Sequence, residues 1–276
     1  MFLFLYGYQI LDIPISRKMK ANYKNAEISY QEIKPDSALG SFVKCFWRFE
    51  NGSANTFSST ILPDGCFDLI IRISDNKLKS ISLTGLWSQP INTSADASSV
   101  LIGIRFRLLA AEYVFGREIA SILNSDLALS PDFWSLNNFP ISNFEAFADQ
   151  ISVKLYSIIN GGKEMDSRKQ KLWDMLYQTN GALTVEEYAK SASWSRRQIN
   201  RYFNNNFGLS LKAYCNILKT FASFKDIAKG NLYPEDNYFD QSHFIKDIKK
   251  YTGTNPKELR KNENGRFLQL STMPKE

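Results

Sequence analysis

The sequence predicts an α+β protein in which a β-rich half precedes an all-helical half. Over residues 28–106, short runs rich in Val, Ile, Phe and Trp alternate with turn clusters, the pattern of strands. After Leu108 the apolar spacing turns helical, and beyond residue 163 the chain reads as helices and loops. The positive charge is confined to this second half. Residues 164–262 hold 17 basic and 11 acidic side chains against 17 of each elsewhere, which accounts for the whole net charge of +6. A basic excess confined to one segment is a footprint of polyanion binding, because each neutralised phosphate releases condensed counterions.

At 276 residues the chain can bury two cores, and its apolar content of 43% is ordinary for globular proteins. The opening MFLFLYGYQILDI is apolar but has no basic n-region or small-residue cleavage site, and it is too short to span a bilayer. No export signal and no membrane partner are expected, and the expected location is cytoplasmic. Met19 begins a more polar stretch, so residues 1–27 are read as an N-terminal extension whose first 18 residues are either dispensable or the product of an upstream start choice.

The strand runs are FVKCFWRFE, FDLIIRI and SSVLIGIRFR, and the turns are NGSAN, PDG and SDNK. In Pro63-Asp64-Gly65 proline fixes φ and glycine accepts a positive φ, so a tight turn leads into the strand over 66–73. Helical spacing follows in AAEYVFGREIASIL and in FEAFADQISVKLYSII, the second a helix over 144–159. Asn160-Gly161-Gly162-Lys163 then marks the boundary between units at 28–160 and 164–262, with a tail at 263–276.

In the helical half, TVEEYAKSASWSRRQINRYFNNNFG (184–208) predicts two short helices around a tight turn. Thr184 caps the first, with Val185, Tyr188 and Ala189 on its apolar face, and Ser195 caps the second. Ile199 and Phe203 of the second helix face inward, leaving Arg196, Arg197, Asn200, Arg201 and Asn204 outside. YFDQSHFIKDIKKYTGTNPKELR (238–260) repeats the arrangement. Asp240 caps a helix whose Phe244 and Ile248 face the core while Gln241, Ser242, Ile245, Lys246 and Lys249 lie on other faces. Gly253 suits its C-terminal stop, and Pro256 the first turn of a last helix over 257–261.

Together these segments, over about residues 172–260, resemble the DNA-binding domain of the AraC/XylS family of transcription regulators. SRRQINRYFNNNFG is similar to the family's first recognition helix with its closing Phe and Gly. FDQSHFIKDIKKYTGTNPKEL is similar to the second, with its final Gly-x-x-Pro. The resemblance implies two helix-turn-helix units joined by a long helix over 211–229. Their recognition helices, over 195–206 and 241–251, would enter successive major-groove segments of double-stranded DNA. It places base contacts on Arg197, Asn200 and Arg201, and on Gln241, Ser242, Ile245 and Lys246. The chemistry agrees for arginine on guanine and asparagine on adenine, each bidentate pair giving about 1–3 kcal/mol of discrimination. Ile245 offers only apolar contact to a thymine methyl. Arg196, Lys249 and Lys250 are read as phosphate contacts, which position without specifying sequence.

Two departures stand out. Ala192-Ser193-Trp194 fills the first turn where a glycine commonly sits. Pro234 and the polar Glu235-Asp236-Asn237 interrupt the segment before the second recognition helix, so its partner helix is expected to be shortened or irregular. The β-rich half is similar, more weakly, to an uncharacterised domain found ahead of such DNA-binding regions in bacteria, through Trp47, LPDGCFDLII, Gly85 and GIRFRLLAA. This implies a sensory or dimerisation role, leaving a small-molecule effector, a homodimer and RNA polymerase open as further partners. The effector, the operator and the sign of regulation are left undetermined.

No catalysis, cofactor or metal is expected. Asp64 and Asp68 are read as turn and strand residues rather than an acid pair, and Trp47 and Phe49 as core or pocket lining. The lone His243 lies in the helical half, and Cys45, Cys66 and Cys215 form no paired motif. Two rivals remain. One is a nonspecific or partner-dependent DNA-binding module with a degenerate second unit. The other is an enzyme fused to a DNA-binding region, as in DNA-repair methyltransferases, which needs an activated thiol at Cys66.

Overall fold

The computed structural model describes residues 19–22, 27–233 and 240–272. Among them nine strands form: β1 (Met19–Asn22), β2 (Ile28–Ile33), β3 (Val43–Asn51), β4 (Phe57–Ile61), β5 (Phe67–Ser74), β6 (Lys77–Thr84), β7 (Ile91–Ala95), β8 (Ser99–Phe106) and β9 (Asp126–Leu129). Seven make one antiparallel sheet in the order β1-β2-β3-β8-β5-β6-β9, and β4 pairs with β7 as a separate ribbon. The period-2 alternation of side chains gives the sheet two apolar faces. Leu69, Ile71, Ile102 and Ile104 belong to the main core, while Trp47, Phe49, Ile70 and Leu101 pack in a separate cluster with Phe57 of the ribbon. SDNK is the β5–β6 hairpin loop, with Asp75 and Asn76 at φ 53° and 56°, which these residue types tolerate and the strand twist favours.

The helices are α1 (Leu109–Tyr113), α2 (Phe144–Gly161), α3 (Ser167–Gln178), α4 (Val185–Ser191), α5 (Arg196–Phe207), α6 (Leu211–Lys229), α7 (Gln241–Thr252), α8 (Pro256–Lys261) and α9 (Leu268–Thr272). None among the described residues is long and apolar enough to cross a membrane. The fold is thus α+β, sheet first and helices after. Residues 110–123 differ from their helical reading. Only α1 and a 3-10 turn at Ala120–Ile122 form there, because Gly116 takes φ +62° and ends the helical path. The chain then returns to the sheet as β9, four residues that the apolar spacing did not disclose. The stretch around Pro234 lies outside the described residues, as do residues 1–18.

One core runs through both halves. Trp173 of α3 is fully buried, with ring centroids of Phe203, Phe207 and Tyr214 at 5.3, 5.5 and 5.6 Å. It shares a continuous apolar cluster with sheet residues such as Phe67 and Phe106. Burying each large side chain of this kind contributes about 1.5–3 kcal/mol. Polar ties cross the same boundary. The Tyr214 hydroxyl donates to the Gly65 carbonyl at 3.0 Å, the Ile119 amide to the Asn206 carbonyl at 2.8 Å, and the Leu108 amide to the Tyr177 hydroxyl at 3.2 Å. Gly65 has φ +76°, and a Cβ there would fall 2.7 Å from the end of the Leu218 side chain, so any other residue in the PDG turn would be strained and would have to displace Leu218 of α6.

Candidate nucleic-acid interface and cavity

Both predicted helix pairs are built by local chemistry. Thr184 and Ser195 each close a capping box, with Glu187 and Gln198 reaching back to the cap amides at 2.7 and 2.8 Å. Between α4 and α5 the turn forms without glycine by putting Ser193 at φ +53°. Ile199, Phe203 and Phe207 are buried, Gly208 ends α5 in the left-handed region, and Arg196, Arg197 and Arg201 are exposed. Asn200 is half-buried, and its side-chain amide donates back to the Arg196 carbonyl at 3.0 Å. Arg196 lies 3.6 Å from Glu186, both exposed, a pairing of little energetic weight. Arg201 shares a surface hollow with Arg168 and Lys169 of α3, two cations that the sequence reading left unassigned.

In the second unit Asp240 caps α7 by accepting from the His243 amide at 2.8 Å, and its other oxygen meets the His243 ring at 2.6 Å. Phe244 and Ile248 are buried, and Gln241, Ser242, Lys246, Lys249 and Lys250 are exposed. Ile245 is half-buried against the same small core as Phe244. Gly253 ends the helix at φ +71° and Pro256 opens α8 behind the Asn255 cap.

The core behind α7 is not made by the helical half alone. Phe244, Ile248, Leu259 and Phe224 pack with Leu62, from the start of the PDG segment, and with Phe267, from the tail. The tail is bound down by polar contacts as well. The Arg266 carbonyl accepts from the Thr60 amide at 2.6 Å. The Gln269 side-chain amide grips both backbone groups of Leu62, accepting from its N–H at 2.8 Å and donating to its C=O at 2.7 Å. Residues 263–272 carry too few apolar positions to disclose this docking in the sequence.

Beneath the β4–β7 ribbon lies a cavity of about 230 Å³ whose walls include Trp47, Phe49, Phe57 and Trp87 together with the tail residues Leu268 and Gln269. Trp47 and Phe49 are therefore both buried and pocket-lining. Asp68 stands at the cavity wall, where its Oδ1 accepts from Trp47 Nε1 at 2.7 Å and from Arg105 Nε at 3.1 Å. Burial raises the Asp68 carboxyl above its ordinary range against the pull of Arg105. Burial also opposes ionisation of Asp64, but Lys44 and Arg105 outweigh it and hold that carboxyl low. Its Oδ2 meets Arg105 Nη1 at 3.3 Å and Lys44 Nζ at 3.6 Å as charges, without a hydrogen bond of good geometry. The two carboxylates are thus committed to a buried ion cluster. Cys66 is buried, and burial pushes its thiol up to about 12, opposite to what an activated nucleophile requires.

Residues 31–128 match the family described as a domain of unknown function (DUF6597), on the half that resembles an uncharacterised domain. The comparison with curated proteins gives no match. Solved structures of ToxT from Vibrio cholerae are similar in arrangement. A ligand-free variant from strain SCE256 is 10% identical with TM-score 0.41, covering 86% of this chain and 98% of that one. The wild-type protein of that strain with an unsaturated fatty acid bound is 11% identical with TM-score 0.38, over 78% and 93%. ToxT from strain O395 bound to (E)-4-(8-methylnaphthalen-1-yl)but-3-enoic acid is 10% identical with TM-score 0.40, over 92% and 99%.

Proposed function

We propose that this chain is a sequence-specific DNA-binding transcription regulator of AraC/XylS type, acting in the cytoplasm without catalytic activity. A small-molecule effector would act on its β-rich half. The reading rests on one observation: α5 and α7 are two capped helices of equal length, each with an apolar inner face and an exposed outer face rich in cations or amides, joined through α6. In this reading Arg197, Asn200 and Arg201 read bases from α5, with Gln241, Ser242, Ile245 and Lys246 from α7, while Arg196, Lys249 and Lys250 hold phosphates. Asn200 has to exchange its bond to the Arg196 carbonyl for a base edge. The units at 28–160 and 164–262 then correspond to sensing and reading, and a second copy of the chain and RNA polymerase are the further partners this role calls for.

Selection of bound duplexes from a random pool tests the reading. A recurrent motif with two separated blocks is expected. Enrichment without any motif would favour a nonspecific DNA-binding module instead.

A further inference from the structure

The cavity under the β4–β7 ribbon has a wall that the β-rich half does not supply. Leu268 and Gln269 come from the last turns of the chain, and the same segment places Phe267 in the core behind α7. Leu62 links the two: its backbone is held by Gln269 and its side chain packs with Phe244 and Ile248. We propose that this cavity is a binding site for a neutral molecule of one or two rings with a hydrogen-bonding group, and that the tail is its detachable wall, through which occupancy fixes α7. The proposal rests on the regulator reading only for its biological purpose, since both parts concern the protein alone.

The ligand class follows from size and charge. A dry cavity of about 150 Å³ accommodates benzene, so 230 Å³ suits up to two fused rings. Tyr30, Trp47, Phe49, Phe57 and Trp87 stand in its walls, and aromatic pairs gain about 0.5–1.5 kcal/mol beyond area burial. The charged lining is balanced, Asp68 and Asp126 against Arg72 and Arg105, with Asp68 and Arg105 already paired to each other. A ligand charge would meet a lining with equal numbers of acidic and basic side chains and would lose its hydration, at a desolvation cost of several kcal/mol. Ser59, Thr84 and Asn92 offer neutral hydrogen bonding instead.

The coupling follows from linkage. A ligand touching Leu268 and Gln269 makes those contacts only while the tail is docked, so it stabilises the docked state by its differential affinity. Docking in turn completes the apolar support of Phe244 and Ile248. Occupancy therefore restrains α7, and loss of the ligand frees it.

The test uses the full chain without DNA, with calorimetric titration and amide hydrogen exchange. The neutral probes are 2-naphthol and indole, and the charged counterparts are 2-naphthoate and 2-naphthylmethylammonium. Neutral probes should bind at least about tenfold more tightly than charged ones, roughly 1.4 kcal/mol. They should slow exchange over 266–271 and over α7. Ser82→Phe, which fills the cavity from β6, should abolish binding while leaving tail exchange slow. Gln269→Ala should speed tail exchange, and 2-naphthol should reverse it. Absence of binding by both neutral probes, or equal binding of the charged ones, overturns the ligand class. Binding that leaves exchange unchanged in the tail and α7 of the wild-type protein overturns the coupling, whether or not the variants fold. Failure of the DNA-binding reading would show separately, as a random-duplex selection with no motif.

Discussion

Trp47 occupies the space that a side chain at Gly103 would need. The two are register partners on β3 and β8, and a Cβ on Gly103 would fall 2.0 Å from the indole. Gly103→Ala should therefore dislodge Trp47 from Asp68 and destabilise the protein by about 1–3 kcal/mol, as overpacking does. Urea unfolding followed by tryptophan fluorescence measures this, and an unchanged midpoint and emission maximum would count against the packing described.

Phe267 should matter as much as a central core residue although it lies near the end of the chain. It is 2% exposed and packs against both Phe244 of α7 and Leu62. Phe267→Ala is expected to cost about 3 kcal/mol or more. A truncation after Gly265 should match or exceed that loss in chemical denaturation, and a tail that could be removed without effect would contradict its docking.

Glu112 joins α1 to the helical half, with Lys163 and Lys169 each at 2.5 Å and the Tyr202 hydroxyl at 3.3 Å. Burial opposes its ionisation, but the two lysines outweigh that and hold its carboxyl below the usual range. Because the folded value lies under the unfolded one of about 4.3, the stabilisation is complete above pH about 4.3 and is lost as pH falls through the folded value. Glu112→Gln should be less stable at neutral pH and should show a shallower loss below pH 4.3, read from thermal melts across pH. Parallel profiles for the two proteins would exclude this role.

Arg201 and Lys250 should behave differently on DNA. Arg201→Ala is expected to relax preference at one base pair by about 1–3 kcal/mol. Lys250→Ala should weaken all duplexes alike and reduce the salt slope by about 0.9. Anisotropy titrations on selected and scrambled duplexes at several salt concentrations separate the two, and equal losses on both duplexes for Arg201→Ala would remove it from the base-reading set.

Cys66 should resist alkylation in the native protein and react on unfolding, since burial pushes its thiol up to about 12. Iodoacetamide labelling with peptide mapping gives the answer. Rapid native labelling would revive the methyltransferase-like reading.

Much of this was legible because it is written in local chemistry. Thr184, Ser195 and Asp240 announce their helices through cap and spacing, and Gly208 and Gly253 end them where a positive φ is needed. The SDNK and PDG turns are equally local. What stayed hidden depends on distant partners. β9 is four residues whose strand character comes only from pairing with β6. The tail carries Phe267 and Gln269, whose importance is set by Leu62 some 200 residues earlier. The cavity arises from the opposite face of strands whose apolar residues read equally well as core, so Trp47 and Phe49 pointed to it without locating it.

The grip of Gln269 on Leu62 also sets an order of events during synthesis. The partners are 207 residues apart, which at about 5–20 residues per second separates their appearance by on the order of 10–40 seconds. The other lining residues of the chamber, from Tyr30 to Asp126, are all made before Leu268 and Gln269 supply its last wall. The chamber is thus closed by the last-made of its lining residues, Leu268 and Gln269.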